Sequence, residues 1–190
     1  MGFQRELNVL FEEEDSPWRM ADGQFFKIDS QFMNTYVVAR CYELLKADGF
    51  EGALEEFNQA RDELAGDNVK GAILNSCKSL ESVLKASLRT DSGTARVLID
   101  RLVDDGFYEG LPQEFSRAFG QQVLMALPFI RNRLAGHGQG NSVVEIPRLY
   151  GELAINLAAT FLLFIVQQSS QLGARAQSEQ TPFSEMDTPF

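Results

Sequence analysis

Ten residues in the second half of the chain, Arg131-Asn132-Arg133-Leu134-Ala135-Gly136-His137-Gly138-Gln139-Gly140, gather side chains suited to work on a phosphodiester. They include the only histidine, two guanidinium groups and the carboxamide of Asn132. An imidazole titrates near neutral pH, so His137 can take a proton from a ribose 2′-hydroxyl or give one to a leaving oxygen. Arginine keeps its proton at working pH, and its chemistry is to clamp a phosphate and offset the charge that builds in the transition state. Asn132 can orient either group, and the set needs no metal ion and no cofactor. His137, Asn132 and the two arginines, Arg131 and Arg133, are therefore the candidate site residues, with Gln139 and Arg148 as further candidate substrate contacts. A plainer reading competes: a histidine between glycines at a helix end can bond the free carbonyls there, and nearby arginines can serve as solubilisers.

Spacing adds a constraint. Arg131 and His137 are six positions apart and fall on different faces of a continuous helix, whereas Arg133 and His137, four apart, would be neighbours. Gly136 ends the helix before His137, so the imidazole can turn back or meet groups from a second copy of the chain. A homodimer would reconcile the two.

The formal net charge of −10 argues against coating nucleic acid or anionic membrane through a global field. Within 115–151, however, Arg117, Arg131, Arg133 and Arg148 face one acid, Glu145. A small positive pocket on an acidic body suits a local phosphate site. It also suits a narrow substrate, such as an exposed tRNA loop, better than broad RNA affinity. A zinc centre is excluded by residue type, since Cys41 and Cys77 form no C-x-x-C pair and there is one histidine. The two cysteines read as buried free thiols in a reducing cytoplasm, although spacing leaves a disulfide between them open. The amino terminus has no basic start followed by an apolar run, so no secretory signal is expected. The apolar run 153–166 carries Asn156 and Thr160 and falls short of the roughly 20 residues of a membrane span. A cytoplasmic protein without a membrane partner is the expectation.

The elements that must position these groups read as an all-α bundle of about five to six helices behind an irregular N-terminal extension. Composition, 44% hydrophobic and 23% charged over 190 residues, suits one domain with extensions. Residues 1–28 form the extension, with scattered aromatics and turn signals at Ser16-Pro17 and Asp22-Gly23 that allow a short hairpin. Residues 29–170 form the helical domain, and 171–190 read as a polar, disordered tail. The first helix, capped by Asp29 or Ser30, carries Phe32, Tyr36, Val37, Cys41, Leu44 and Leu45 and ends at Gly49. A second follows over 52–65. The third, capped by Asp67, has an unbroken stripe of Val69, Ala72, Ile73, Ser76, Cys77, Leu80, Val83, Leu84, Ser87 and Leu88. A fourth spans 94–104. Pro112 suits the first turn of a fifth, whose inner side reads as Phe115, Phe119, Val123, Leu127, Ile130 and Leu134, and Pro128 should kink it just before the motif. After a glycine-rich turn, Pro147 opens a last helix to about residue 170. Its main stripe is Leu149, Tyr150, Leu153, Leu157, Phe161 and Phe164, and its reverse face is also apolar (Ile155, Ala159, Leu162, Leu163), so it needs cover on both sides.

Arg131-Asn132, four residues, then His137 resembles the signature of the HEPN superfamily. The string RNRLAGHGQG looks like the form found in C-terminal domains of abortive-infection proteins. The segment GALEEFNQARDELAGDNVKGAILNSCKSLESVLKASL is similar to the helices before the motif in that group. The resemblance implies a HEPN-like bundle in which Arg131 and His137 are the catalytic pair and Asn132 the polar helper, while Arg133, outside the motif's defining positions, is a substrate contact. It further implies that two copies line one cleft and that cleavage leaves a 2′,3′-cyclic phosphate. A metal-independent endoribonuclease of a toxin-antitoxin or anti-phage system follows as the expectation, with RNA as substrate and an antitoxin or regulatory partner. The alternative is a non-catalytic HEPN module that binds a partner protein or nucleotide.

Overall fold

Where the apolar stripes recur at three and four, the chain is helical. In a computed structural model that describes residues 2–14, 16, 18–21, 23–27, 37–46, 49–108, 110–136 and 144–179, an all-α body follows a small N-terminal module. The elements are α1 (Phe3–Glu13), β1 (Trp18–Ala21), β2 (Gln24–Lys27), α2 (Ala39–Leu45), α3 (Glu51–Ala65), α4 (Val69–Ser87), α5 (Ala95–Asp104), α6 (Gln113–Phe119), α7 (Ala126–Ile130) and α8 (Arg148–Glu179). Two π-helical turns, Gly120–Leu124 and Arg131–Ala135, flank α7.

Helix α4 is the hub. Ala72, Ile73, Ser76, Cys77, Leu80, Val83 and Leu84 are all buried, as the stripe predicts, against α3 on one side and α8 on the other. Each fully buried leucine contributes about 1.5–3 kcal/mol through the hydrophobic effect. Polar groups lock the α3–α4 pair: the Ser79 hydroxyl donates to the Ala53 carbonyl at 2.7 Å, and the Ser82 hydroxyl to the Glu56 carboxylate at 2.7 Å. A side chain at Gly151 would come within 2.7 Å of Leu64 Cδ1 and 3.4 Å of Val69 Cγ1, so that glycine sets how closely α8 lies on α3 and α4.

Several expectations need correction. Asn68, not Asp67, caps α4: its side chain accepts from the Gly71 N–H at 3.1 Å. Asp67 instead takes a left-handed conformation (φ 59°) that closes the turn. In α8 the expected main stripe begins in solvent, with Leu149, Tyr150 and Leu153 exposed, while Ala154, Ile155, Ala158, Ala159 and Leu162 are buried. Small residues win that face because they let α4 approach. Helix α8 also runs to Glu179, past the expected end at 170. By length and composition, Arg148–Leu172 matches a membrane span. Half of it is buried inside the fold, mainly against α4, which is the behaviour of a core helix.

The N-terminal module holds a helix, α1, that the sequence reading left without an element. The carboxamide of Asn8 ties it to the β1–β2 hairpin, donating to the Met20 carbonyl at 2.8 Å and accepting from the Met20 N–H at 2.6 Å. The expected cap at Asp29 or Ser30, the residues Phe32 and Tyr36, and the tail beyond 179 lie outside the described residues.

Candidate functional site

The segment 113–135 delivers the motif, and Pro128 governs its shape. Proline has no N–H to give the Leu124 carbonyl, so the regular α-helical ladder is interrupted there. The chain widens on either side of it. Upstream, the Met125 N–H reaches five residues back to the Gly120 carbonyl at 3.1 Å, and Gly120 lies so close to Ile99 that a Cβ would sit 3.0 Å from its Cγ2. A π-turn inserts one extra residue. Relative to Leu127, everything upstream is therefore shifted by one position: Ser116, Gly120 and Leu124 are buried, while the expected inner residues Phe115 and Val123 are exposed.

The second π-turn holds Arg131, Asn132 and Arg133 together. The Arg131 guanidinium donates through Nη1 to Asn132 Oδ1 at 2.8 Å and pairs through Nη2 with Glu81 Oε1 of α4 at 3.4 Å. Its side chain is 33% exposed and that of Glu81 20%. Such a half-buried pair adds little stability. Its consequence is positional: it fixes the guanidinium over α4. Below it lies Cys77, whose thiol is pushed up to about 11 by burial, and further by the Glu81 charge, against the opposing charge and hydrogen bond of Arg131. Cys41 is raised by burial to about 12, and both cysteines are free.

Arg133 is exposed, with its guanidinium carbon 5.6 Å from the centroid of the Phe129 ring. Asn132 also forms part of a groove of about 580 Å³ whose walls include Arg96, Gln121, Gln122, Met125 and Phe129. Arg148 is not brought to this place. It donates to the Leu64 carbonyl at 2.8 Å and pairs with Asp67 and Glu152 near the start of α4 at Val69, which is about 18 Å along that helix from Glu81 at 1.5 Å per residue. His137 and Gln139 lie outside the described residues.

The local positive excess read from the sequence is smaller in space. Glu81 offsets Arg131, while Asp67 and Glu152 offset Arg148. Glu81 was missed by sequence reasoning, yet a signal existed: it is one turn from Cys77, on a helix face otherwise committed to packing. Phe129 was also missed, and its signal was an aromatic set beside the apolar line.

Comparison with known proteins agrees with the helical body. The family model of the abortive-infection C-terminal group, described as a HEPN-like domain, matches residues 51–169, from α3 into α8 and across the motif. No curated protein and no solved structure matches the chain.

Proposed function

We propose, from the premise that this chain belongs to the HEPN-like family of abortive-infection C-terminal domains, that it is a metal-independent endoribonuclease of an anti-phage or toxin-antitoxin response, acting as a homodimer. The observation that carries the reading is the placement of Arg131. A guanidinium aimed by Glu81 and Asn132 at the end of a π-widened helix stands six positions before the only imidazole. In this reading His137 takes the proton of a ribose 2′-hydroxyl. The freed oxygen attacks phosphorus, the 5′-oxygen leaves with a proton from an acid in the cleft, and a 2′,3′-cyclic phosphate remains. Arg131 neutralises the phosphorane as it forms. A second copy would bring a second such pair to the cleft, and the exposed Leu149, Tyr150 and Leu153 of α8 offer an apolar face for it.

One observation favours a second reading, a non-catalytic module that binds a partner protein or nucleotide: the Arg131–Glu81 pair also serves as a tie between α4 and the second π-turn. The full chain, incubated in EDTA with total RNA or tRNA, separates the two. Cleavage to cyclic-phosphate ends should fall about 10²- to 10³-fold in Arg131→Ala, the usual loss for a group that stabilises transition-state charge. It should also be lost in His137→Ala. If both variants cut as the unmodified protein does, the nuclease reading is wrong.

A further inference from the structure

The groove beside the motif is not used by the chemistry above. We propose that it holds one unstacked nucleotide of single-stranded RNA, next to the phosphate that Arg131 clamps, with the Phe129 ring as the platform on which the base stacks. The proposal rests on the nuclease reading and names its substrate class as unpaired RNA.

Four observations carry it. First, Asn132 belongs to both places: it lines the groove, and its Oδ1 accepts from Arg131 Nη1 at 2.8 Å, so a ligand in the groove lies beside that guanidinium. Second, the volume of about 580 Å³ lies within the range that small-molecule sites occupy. Third, Phe129 is 59% exposed although its helix is otherwise turned inward at Leu127 and Pro128, and Arg133 stacked at 5.6 Å steadies the ring. Fourth, the walls add the carboxamides of Gln121 and Gln122, suited to base edges, and Arg96, which pairs with no carboxylate among the described residues.

An aromatic platform, amide groups and an uncommitted guanidinium are the parts with which proteins read single strands. A duplex keeps its bases stacked and is recognised across a broad surface instead. A body of net charge −10 lacks the broad positive field for that. The side chains of Arg96, Gln121, Gln122 and Asn132 in its walls set this groove apart from Leu149, Tyr150 and Leu153, the face better suited to a second copy.

The test uses the full chain in EDTA and short 2′-O-methyl oligonucleotides of mixed sequence, which lack the nucleophilic hydroxyl and survive. Fluorescence anisotropy should show binding of the single strands, weakened about 5- to 150-fold in Phe129→Ala, as loss of one stacked base predicts, and retained in Phe129→Tyr. The same oligonucleotides annealed into duplexes should compete poorly. The proposal is overturned by undetectable single-strand binding, by Phe129→Ala binding as the unmodified protein does, by equal competition from duplex, or by a changed mass of Phe129→Ala in light scattering, which would make the groove a self-association face. The two readings fail separately. Phe129-dependent binding without RNA cleavage sinks the nuclease and leaves the groove, whereas cleavage with an unchanged KM in Phe129→Ala does the reverse.

Discussion

Helix α4 keeps one register for 19 residues, whereas the segment 113–135, which meets it over 126–135, changes register twice, at the π-turns on either side of Pro128. The difference shows in what each leaves in water. From α4 the apolar line goes inward from Ala72 to Leu84, and the helix serves as a rigid platform. From 113–135 the broken register leaves Phe115, Val123 and Phe129 exposed, opens a groove, and still delivers Arg131 to Glu81. A regular helix optimises burial, and an interrupted one gives up some burial to place side chains that a constant 100° step would bury or scatter. π-turns are frequent at functional sites for this reason.

The largest effect should come from removing packing on the regular side. Leu80 is fully buried on α4, and Leu80→Ala should cost about 2–5 kcal/mol of unfolding free energy, the range for large-to-small core changes. Phe115→Ala, a larger truncation at a half-exposed residue of α6, should stay within about 0.5 kcal/mol. Urea denaturation of both variants measures this directly. Similar losses would mean that the broken segment is packed as tightly as the hub, and the contrast would collapse.

Next in size is an alkaline effect at the seam between the two regions. Cys77 lies under Arg131 and Glu81, and its thiol is raised from 9.0 to about 11, while Cys41, buried on α2, is raised to about 12. Between these values the folded thiols stay protonated and the unfolded ones do not. Their contribution to stability is therefore complete below pH 9 and is lost as pH climbs through 11 and 12. The urea midpoint should drop between pH 9 and pH 11, and Cys77→Ala, although less stable at pH 9, should drop less steeply. An equal slope in the variant would show that Cys77 titrates normally.

The same contrast explains what could be read in advance. The stripe of α4 was legible because a constant period projects straight onto one face, and the motif was legible because its residue types are rare in this chain. The inner face of 113–124 was misassigned by one residue because the π-turn that adds the extra residue depends on tertiary contacts, Gly120 against Ile99 among them, whereas Leu127, Ile130 and Leu134 pack inward as expected. Glu81 escaped because it pairs across 50 positions, and a linear charge count sees only neighbours. The two faces of α8 were ranked by apolar bulk, while packing selected the smaller residues, Ala154, Ala158 and Ala159 beside Gly151.

Whether the proline or the packing sets the broken register can be asked at Pro128 itself, with a small expected change in stability. Pro128→Ala restores an N–H that can bond the Leu124 carbonyl, which favours a regular helix, but it also removes ring atoms from a buried site. These terms oppose each other, and the net change should lie within about 1 kcal/mol. The structural consequence should be larger than the energetic one. If Pro128 imposes the interruption, amides of 120–130 will gain hydrogen-exchange protection in the variant, the upstream turn will lose its extra residue, and Phe129 and Asn132 will rotate relative to Gln121. Single-strand binding would then weaken in a protein that unfolds at nearly the same urea concentration. If protection and binding are both unchanged, the contact of Gly120 with Ile99 holds the π-turn without help from the proline, and the register of this segment belongs to its packing.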